Sequence, residues 1–172
     1  MAWTAGAVRY PLRMPAAPTP AIAALIRAKI AFTLHPYHHD PAATAFGDEV
    51  VTALGWDPRQ VFKTLVASVD GALVVGIVPV AAHLDLKALA AAAGGKKASM
   101  AKVADAERSS GYVAGGISPL GQRKALPTVI DSSAEQFQTI MVSAGKRGLQ
   151  VELAPTDLIV QCRAKLAVIA AD

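Results

Sequence analysis

The chain has 172 residues, of which 53% are hydrophobic, 17% charged and 5% aromatic, a profile that fits one domain with a packed core and excludes a disordered polypeptide. Its net charge of +4 permits a nucleic-acid partner without demanding one. The apolar runs are too short to span a bilayer, as in Ala88 to Ala93 closed by Gly94-Gly95, and the single cysteine, Cys162, excludes an intramolecular disulfide framework and any multi-cysteine metal site.

Residues 1 to 18, rich in Ala and Pro and broken by Arg9 and Arg13, are expected to form a disordered leader ahead of one domain over 19–172. They do not have the pattern of a secretory signal, so the cytoplasm is the expected compartment. Thr19-Pro20 is a helix start, with a hydroxyl cap and then proline at the first helical position, followed by Ile22, Leu25, Ile26 and Ile30 at helical spacing. Ala31 to Tyr37 reads as a strand. Gly47 to Leu54 reads as a short helix stopped by Gly55, and Asp57-Pro58 opens another helical turn.

Val61 to Val69 has strand character, with Val61, Lys63, Leu65, Ala67 and Val69 on one face. Asp70-Gly71 between two apolar runs predicts a tight hairpin, and the return strand, Leu73 to Val80, is apolar enough to be central in its sheet. Asp85 to Ala93 is helical and Gly94-Gly95 ends it. Ser99 is expected to cap a helix running to Arg108. A glycine-rich loop covers Gly111 to Gly121. Thr128 to Ile130, Thr139 to Val142 and Leu149 to Leu153 are expected strands, and Pro155 to Cys162 a helix; Leu166 to Ile169 fits either type. The sum is an α/β (α+β) fold with a mixed, mostly antiparallel sheet surrounded by helices.

Familiar catalytic signatures are absent: there is no phosphate-binding loop, dinucleotide fingerprint or nucleophile elbow. His35, His38 and His39 cluster with Asp40, but neighbours on a strand point to opposite faces, so no metal site is expected. Cys162 lies in an apolar helix and reads as a core thiol. Lys63 stands out, because a lysine between Val61 and Leu65 on an apolar face must snorkel, pair or face a cavity. In the segment Gly115-Gly116-Ile117-Ser118-Pro119-Leu120-Gly121, bare backbone N–H groups could hold a carbonyl or phosphate oxygen. Lys96, Lys97, Arg123, Lys124, Lys146 and Arg147 concentrate positive charge in the C-terminal half.

Several stretches in order carry a resemblance. They are Thr19-Pro20-Ala21, His39-Asp40-Pro41-Ala42, Phe46-Gly47-Asp48-Glu49-Val50, Val61-Phe62-Lys63-Thr64-Leu65, Leu84-Asp85-Leu86-Lys87, the Gly115–Gly121 loop and Ser143-Ala144-Gly145-Lys146-Arg147-Gly148. From Thr19 onward the chain resembles the YbaK-type Cys-tRNA(Pro) deacylases, free-standing relatives of the editing domain of bacterial prolyl-tRNA synthetases. The resemblance implies a curved mixed sheet with a lateral pocket, and an enzyme that strips cysteine from mischarged tRNA(Pro), as hydrolase or lyase, without metal or cofactor. It implies Lys63 as the essential residue, gripping the terminal adenosine end through phosphate, and a substrate pocket including Tyr37, Phe46 and the Gly115, Gly116 and Ser118 backbone. Gln150 joins the pocket where relatives often carry Asp. The six C-terminal cations would meet the tRNA, and prolyl-tRNA synthetase is a candidate partner. The nucleophile implied is the substrate's own thiol, with a thiolactone as product. The alternatives are an Ala-tRNA(Pro) deacylase that uses water and a non-catalytic RNA-binding module on the same fold.

Overall fold

The computed structural model describes residues 17–172, so the expected leader lies almost wholly outside the described residues. In chain order the elements are α1 (Pro20–Arg27), β1 (Thr33–Pro36), α2 (Phe46–Leu54), β2 (Phe62–Val69), β3 (Ala72–Pro79), β4 (His83–Leu84), α3 (Leu86–Ala92), β5 (Ala98–Met100), α4 (Val103–Ser110), β6 (Thr128–Asp131), β7 (Ile140–Lys146), β8 (Leu149–Leu153), α5 (Pro155–Cys162), β9 (Lys165–Ala167) and β10 (Ala170–Ala171). A short 3-10 turn, Ser132–Gln136, leads out of β6.

Local chemistry sets most of the boundaries. Thr19 Oγ1 accepts from Ile22 N–H and donates to Ala144 C=O, which caps α1 and ties it to β7. The Asp85 carboxylate caps α3 by accepting from Ala88 N–H at 3.0 Å. Gly55 ends α2 in the left-handed region, φ 66°. Asp70 (φ 49°) and Gly71 (φ 87°) form the two-residue turn joining β2 to β3, with Val69 opposite Ala72.

Two larger sheets, beside an antiparallel pair of β4 with β10, carry the fold. One has the order β5-β2-β3-β6-β9; β2 runs antiparallel to β3 and β5, whereas β6 is parallel to both β3 and β9. The other has the order β1-β8-β7, antiparallel throughout. They touch through one parallel bridge, Val61 to Met141, with Met141 N–H donating to Gln60 C=O. Beyond that bridge β2 and β7 diverge. The main core lies between the sheets, where Phe32, Ile22, Leu25, Ile77, Ile130, Leu153 and Leu158 are fully buried. A second cluster packs α3 on the other face of β2 and β3 through Leu89, Ala67 and Val78.

Two local readings are corrected. Ser99 does not cap a helix: it pairs with Ser68 in β5, and α4 starts at Val103. The edge of β2 offers ladder partners to 98–100, and that non-local gain overrides the local capping preference. The residues after Asp57-Pro58 form a single turn, closed by Gln60 N–H on Asp57 C=O, rather than a helix.

Asp131 locks the C-terminal segment in place. It is 4% exposed, and its carboxylate accepts from Ile169 N–H and Ala170 N–H at 2.9 Å and from the Ser133 N–H and hydroxyl. Burial alone would raise its pKa, but the four hydrogen bonds outweigh burial and hold it below the usual 3.8. The depressed folded-state pKa contributes stability that is present above the unfolded value and lost as pH falls through the folded one. Asp131→Asn is expected to destabilise the fold by about 2–3 kcal/mol and to flatten the acid limb of thermal stability. A melting series from pH 2 to 7 checks both.

Candidate active site

The divergence of the two sheets leaves a cleft of about 560 Å³. Its floor is β2 from Phe62 to Val66, α2 supplies one wall, and β7 and β8 contribute Ser143 and Gln150. Ala101, Val103 and Ala106 with Gly115 and Ile117 close the other side. Alternation along β2 puts Phe62 and Val66 into the main core and Leu65 and Ala67 into the second cluster. Lys63 falls on the second-cluster face at the end of the strand where α3 no longer covers it, and lines the cleft.

Lys63 is partly buried and, among the described residues, makes no ion pair or hydrogen bond. Among the described residues it is the only lysine or arginine lining the cleft. Burial lowers its pKa below 10.5, and the charge of Asp48, in the first turn of α2, pulls the other way. An unpaired cation facing a cavity is a site for an anionic or strongly polar ligand group.

The mouth of the cleft is built around Phe46. The Arg147 guanidinium sits 5.0 Å from its ring centroid, and Arg147 Nε donates to Ala114 C=O at 2.8 Å. Gly115, at φ 85°, leaves no room for a side chain, since a Cβ there would lie 2.8 Å from the Phe46 ring. Glu49 braces the same corner, accepting from Asp40 N–H at 2.7 Å and sharing a 2.9 Å contact with His39 Nδ1. Its pKa is lowered by the Asp40 N–H first and by His39 second. His35 goes elsewhere, to Glu152 at 2.9 Å. His35 and His39, from the same short stretch of sequence, are thus held by separate carboxylates.

The expected pocket residues divide. Lys63, Phe46, Gly115 and Gln150 line the cleft. Tyr37 stands behind the wall, packed against the Val50, Val61 and Met141 cluster. Gly116 presses on the β7–β8 hairpin, where a Cβ would meet Lys146 and Arg147 backbone at 2.9 Å, and its N–H is spent on Val113 C=O. Ser118 is fully buried, and its hydroxyl accepts from Leu120 N–H, which braces the loop from within. Gly115 and Ile117 line the cleft, and their N–H groups have no hydrogen-bond partner among the described residues. Asp48, His83 and Ser143 also line the cleft and were not singled out from the sequence. Ser143 carried the same signal as Lys63, a polar residue inside an apolar strand.

Cys162 is no nucleophile here. It donates to Pro119 C=O at 3.3 Å, and burial pushes its pKa up to about 12. The six expected tRNA-facing cations are all exposed but form three patches. Lys146 and Arg147 sit at the mouth. Arg123 and Lys124 follow the C-terminus of α4, their N–H groups on Ser110 and Ser109 C=O, about 6 Å along that helix from Ala106, which lines the cleft. The N–H groups of Lys96 and Lys97 bind the Asp70 carboxylate at the far end of β2, about 23 Å from Lys63.

Comparison with known proteins agrees with this geometry. A family model described as the aminoacyl-tRNA editing domain matches residues 39–160. A protein of Enterococcus faecalis provisionally named Cys-tRNA(Pro)/Cys-tRNA(Cys) deacylase EbsC is 43% identical over 113 residues, 65% of this chain and 69% of that one. A solved structure provisionally described as a trans-editing enzyme for prolyl tRNA synthetase superposes with TM-score 0.77 at 21% identity, over 89% of this chain and 96% of that one. A second, described only as a hypothetical protein, gives 0.80 at 18% identity over 89% and 100%. At those identities the two structures speak to the fold alone.

Proposed function

This chain belongs to the aminoacyl-tRNA editing domain family, and we propose that within it the chain is a trans-editing deacylase removing cysteine wrongly attached to tRNA(Pro). The observation that carries the reading is Lys63, one unpaired and partly buried cation on the floor of a cleft wide enough for the charged end of a tRNA. The 43% identity to a protein named for this activity supports the choice of substrate.

In this reading Lys63 grips the phosphate of the terminal nucleotide and fixes the ester beside the Gly115–Ile117 segment. The N–H groups there meet the carbonyl oxygen as it becomes negative. No protein side chain at the cleft is a ready nucleophile, so the substrate's thiol attacks its own ester carbon. The carbon–sulfur bond forms, the carbon–oxygen bond to the ribose breaks, and the thiol proton passes to the ribose oxygen. The products are a thiolactone and free tRNA, which makes the step formally an elimination of the lyase type. The exposed cations meet the tRNA backbone, and work beside prolyl-tRNA synthetase in the cytoplasm follows from the substrate.

The test is deacylation by purified protein of tRNA(Pro) charged with cysteine, alanine, serine or proline, with Cys-tRNA(Cys) as a further substrate. Cysteine is expected to leave fastest. Fastest release of alanine would replace the reading with the water-using enzyme. Binding without turnover would make the chain an RNA-binding module.

A further inference from the structure

The floor of the cleft is a bare strand edge. β3 covers one side of β2 throughout, with Lys63 opposite Val78 and Leu65 opposite Gly76. On the other side, β5 pairs only with Ala67 to Val69, and β7 touches only at Val61. The hydrogen bonds fix which groups face the gap. Val80 N–H donates to Val61 C=O, so the odd-numbered residues bond to β3. Ala101 N–H on Val66 C=O and Met141 N–H on Gln60 C=O show the even-numbered residues bonding the other way. Between these two contacts, the Thr64 N–H and C=O face the cleft with no strand to receive them.

Thr64 adds a second orphan. Its hydroxyl is buried and has no partner among the described residues, although leaving a buried hydroxyl unpaired opposes folding. It shares a strand face with Phe62 and Val66, and the cleft there is walled by Val66, Ala101, Val103 and Ala106. The cleft therefore has two ends. Lys63, Asp48, Ser143 and Gln150 make one polar; at the other, against Val66, Ala101, Val103 and Ala106, β2 presents the Thr64 main chain and hydroxyl. Lys63 and Val66 are about 10 Å apart along the strand, the length of a nucleoside.

We infer that the edge of β2 at Thr64 is the seat of the terminal adenine of the aminoacyl-tRNA. The base lies between the apolar walls with its amino-bearing edge on the strand. The Thr64 N–H donates to ring nitrogen N1, the Thr64 C=O accepts from the 6-amino group, and the hydroxyl takes that amino group's second hydrogen. This assignment rests on the deacylase reading and adds to it a specificity for the base, set by main chain and one side chain.

The test uses a minihelix of the tRNA acceptor stem ending in adenosine, in purine riboside, which lacks the 6-amino group, or in 7-deazaadenosine, which keeps it. Binding of the uncharged helices is measured beside deacylation of the cysteinyl ones. Purine riboside is expected to raise Kd and lower kcat/KM at least tenfold, through KM, while 7-deazaadenosine stays within twofold. Thr64→Val should lose about tenfold on the adenosine-ended substrate and little more on the purine riboside one, with an unchanged or higher melting temperature. Thr64→Ser should restore most of the loss. Equal binding of adenosine and purine riboside ends, or native kcat/KM from Thr64→Val, overturns the assignment. Absence of deacylation from every substrate would overturn the enzyme reading alone, since the binding series still decides where the base sits.

Discussion

Lys63→Ala is expected to lower kcat/KM for cysteinyl-tRNA(Pro) by a hundredfold to about a thousandfold without unfolding the protein. The size follows from the cleft's composition, because no other lysine or arginine among the described residues lines it to take over the phosphate. Retention of the fold follows from the same isolation. Lys63 makes no ion pair among the described residues, and burying its charge opposes folding, so truncation removes a cost rather than a contact. Lys63→Met keeps the stem and separates lost charge from lost packing. Both variants should melt at or above the native temperature while losing deacylation together. A folded variant with native rates would remove Lys63 from the reaction.

The second large effect lies on the substrate side. Cysteinyl-tRNA(Pro) is expected to be cleaved roughly a thousandfold faster than seryl-tRNA(Pro), since a thiol held against its own ester gains orders of magnitude from proximity and a hydroxyl is a far poorer nucleophile at neutral pH. A steric filter could not produce that gap, because serine is no larger than cysteine. The protein's own thiol cannot stand in: Cys162 is turned to Pro119 C=O with its pKa near 12, so Cys162→Ser should keep most of the activity. Single-turnover rates on the two substrates, with the S-methylated cysteinyl ester as control, give the answer. Equal rates, or rapid cleavage of the S-methyl ester, would mean that water or a protein group attacks.

Features of the fold that depend on neighbours in sequence were legible. The Asp70-Gly71 hairpin, the Thr19 and Asp85 caps and the Gly55 stop are set by the chemistry of two to four adjacent residues, and each appears where that chemistry puts it. What depends on distant partners was not. The parallel pairing of β6 with β3 leaves no local trace, and β5 was mistaken for a helix cap because its ladder partner lies thirty residues away. The site follows the same division. Lys63 announced itself by a charge on an apolar face. The bare edge beside it did not, because whether a strand edge is covered depends on where two other strands stop. How the Ser118 side chain is used was not legible either: its hydroxyl accepts from the N–H two residues ahead and braces the loop.

The pairing of β1 with β8 bears on how such a protein is made. Thr33 lies opposite Glu152, and β9 and β10 complete the remaining sheets with residues 165–171. A ribosome that has delivered α1, β1 and the whole of β2 and β3 has supplied the cleft's floor and its lysine, but not the strand that β1 needs. Until residue 153 emerges, β1 has an unpaired edge and the Phe32 side of the core is open to solvent. The sheet carrying Ser143 and Gln150 must therefore close late, by a long-range encounter of the slow, topology-limited kind. An editing enzyme of this architecture therefore completes its cleft only once β8 has been made, so a translation error in β8 would be felt only after the cleft's floor and its lysine were already in place.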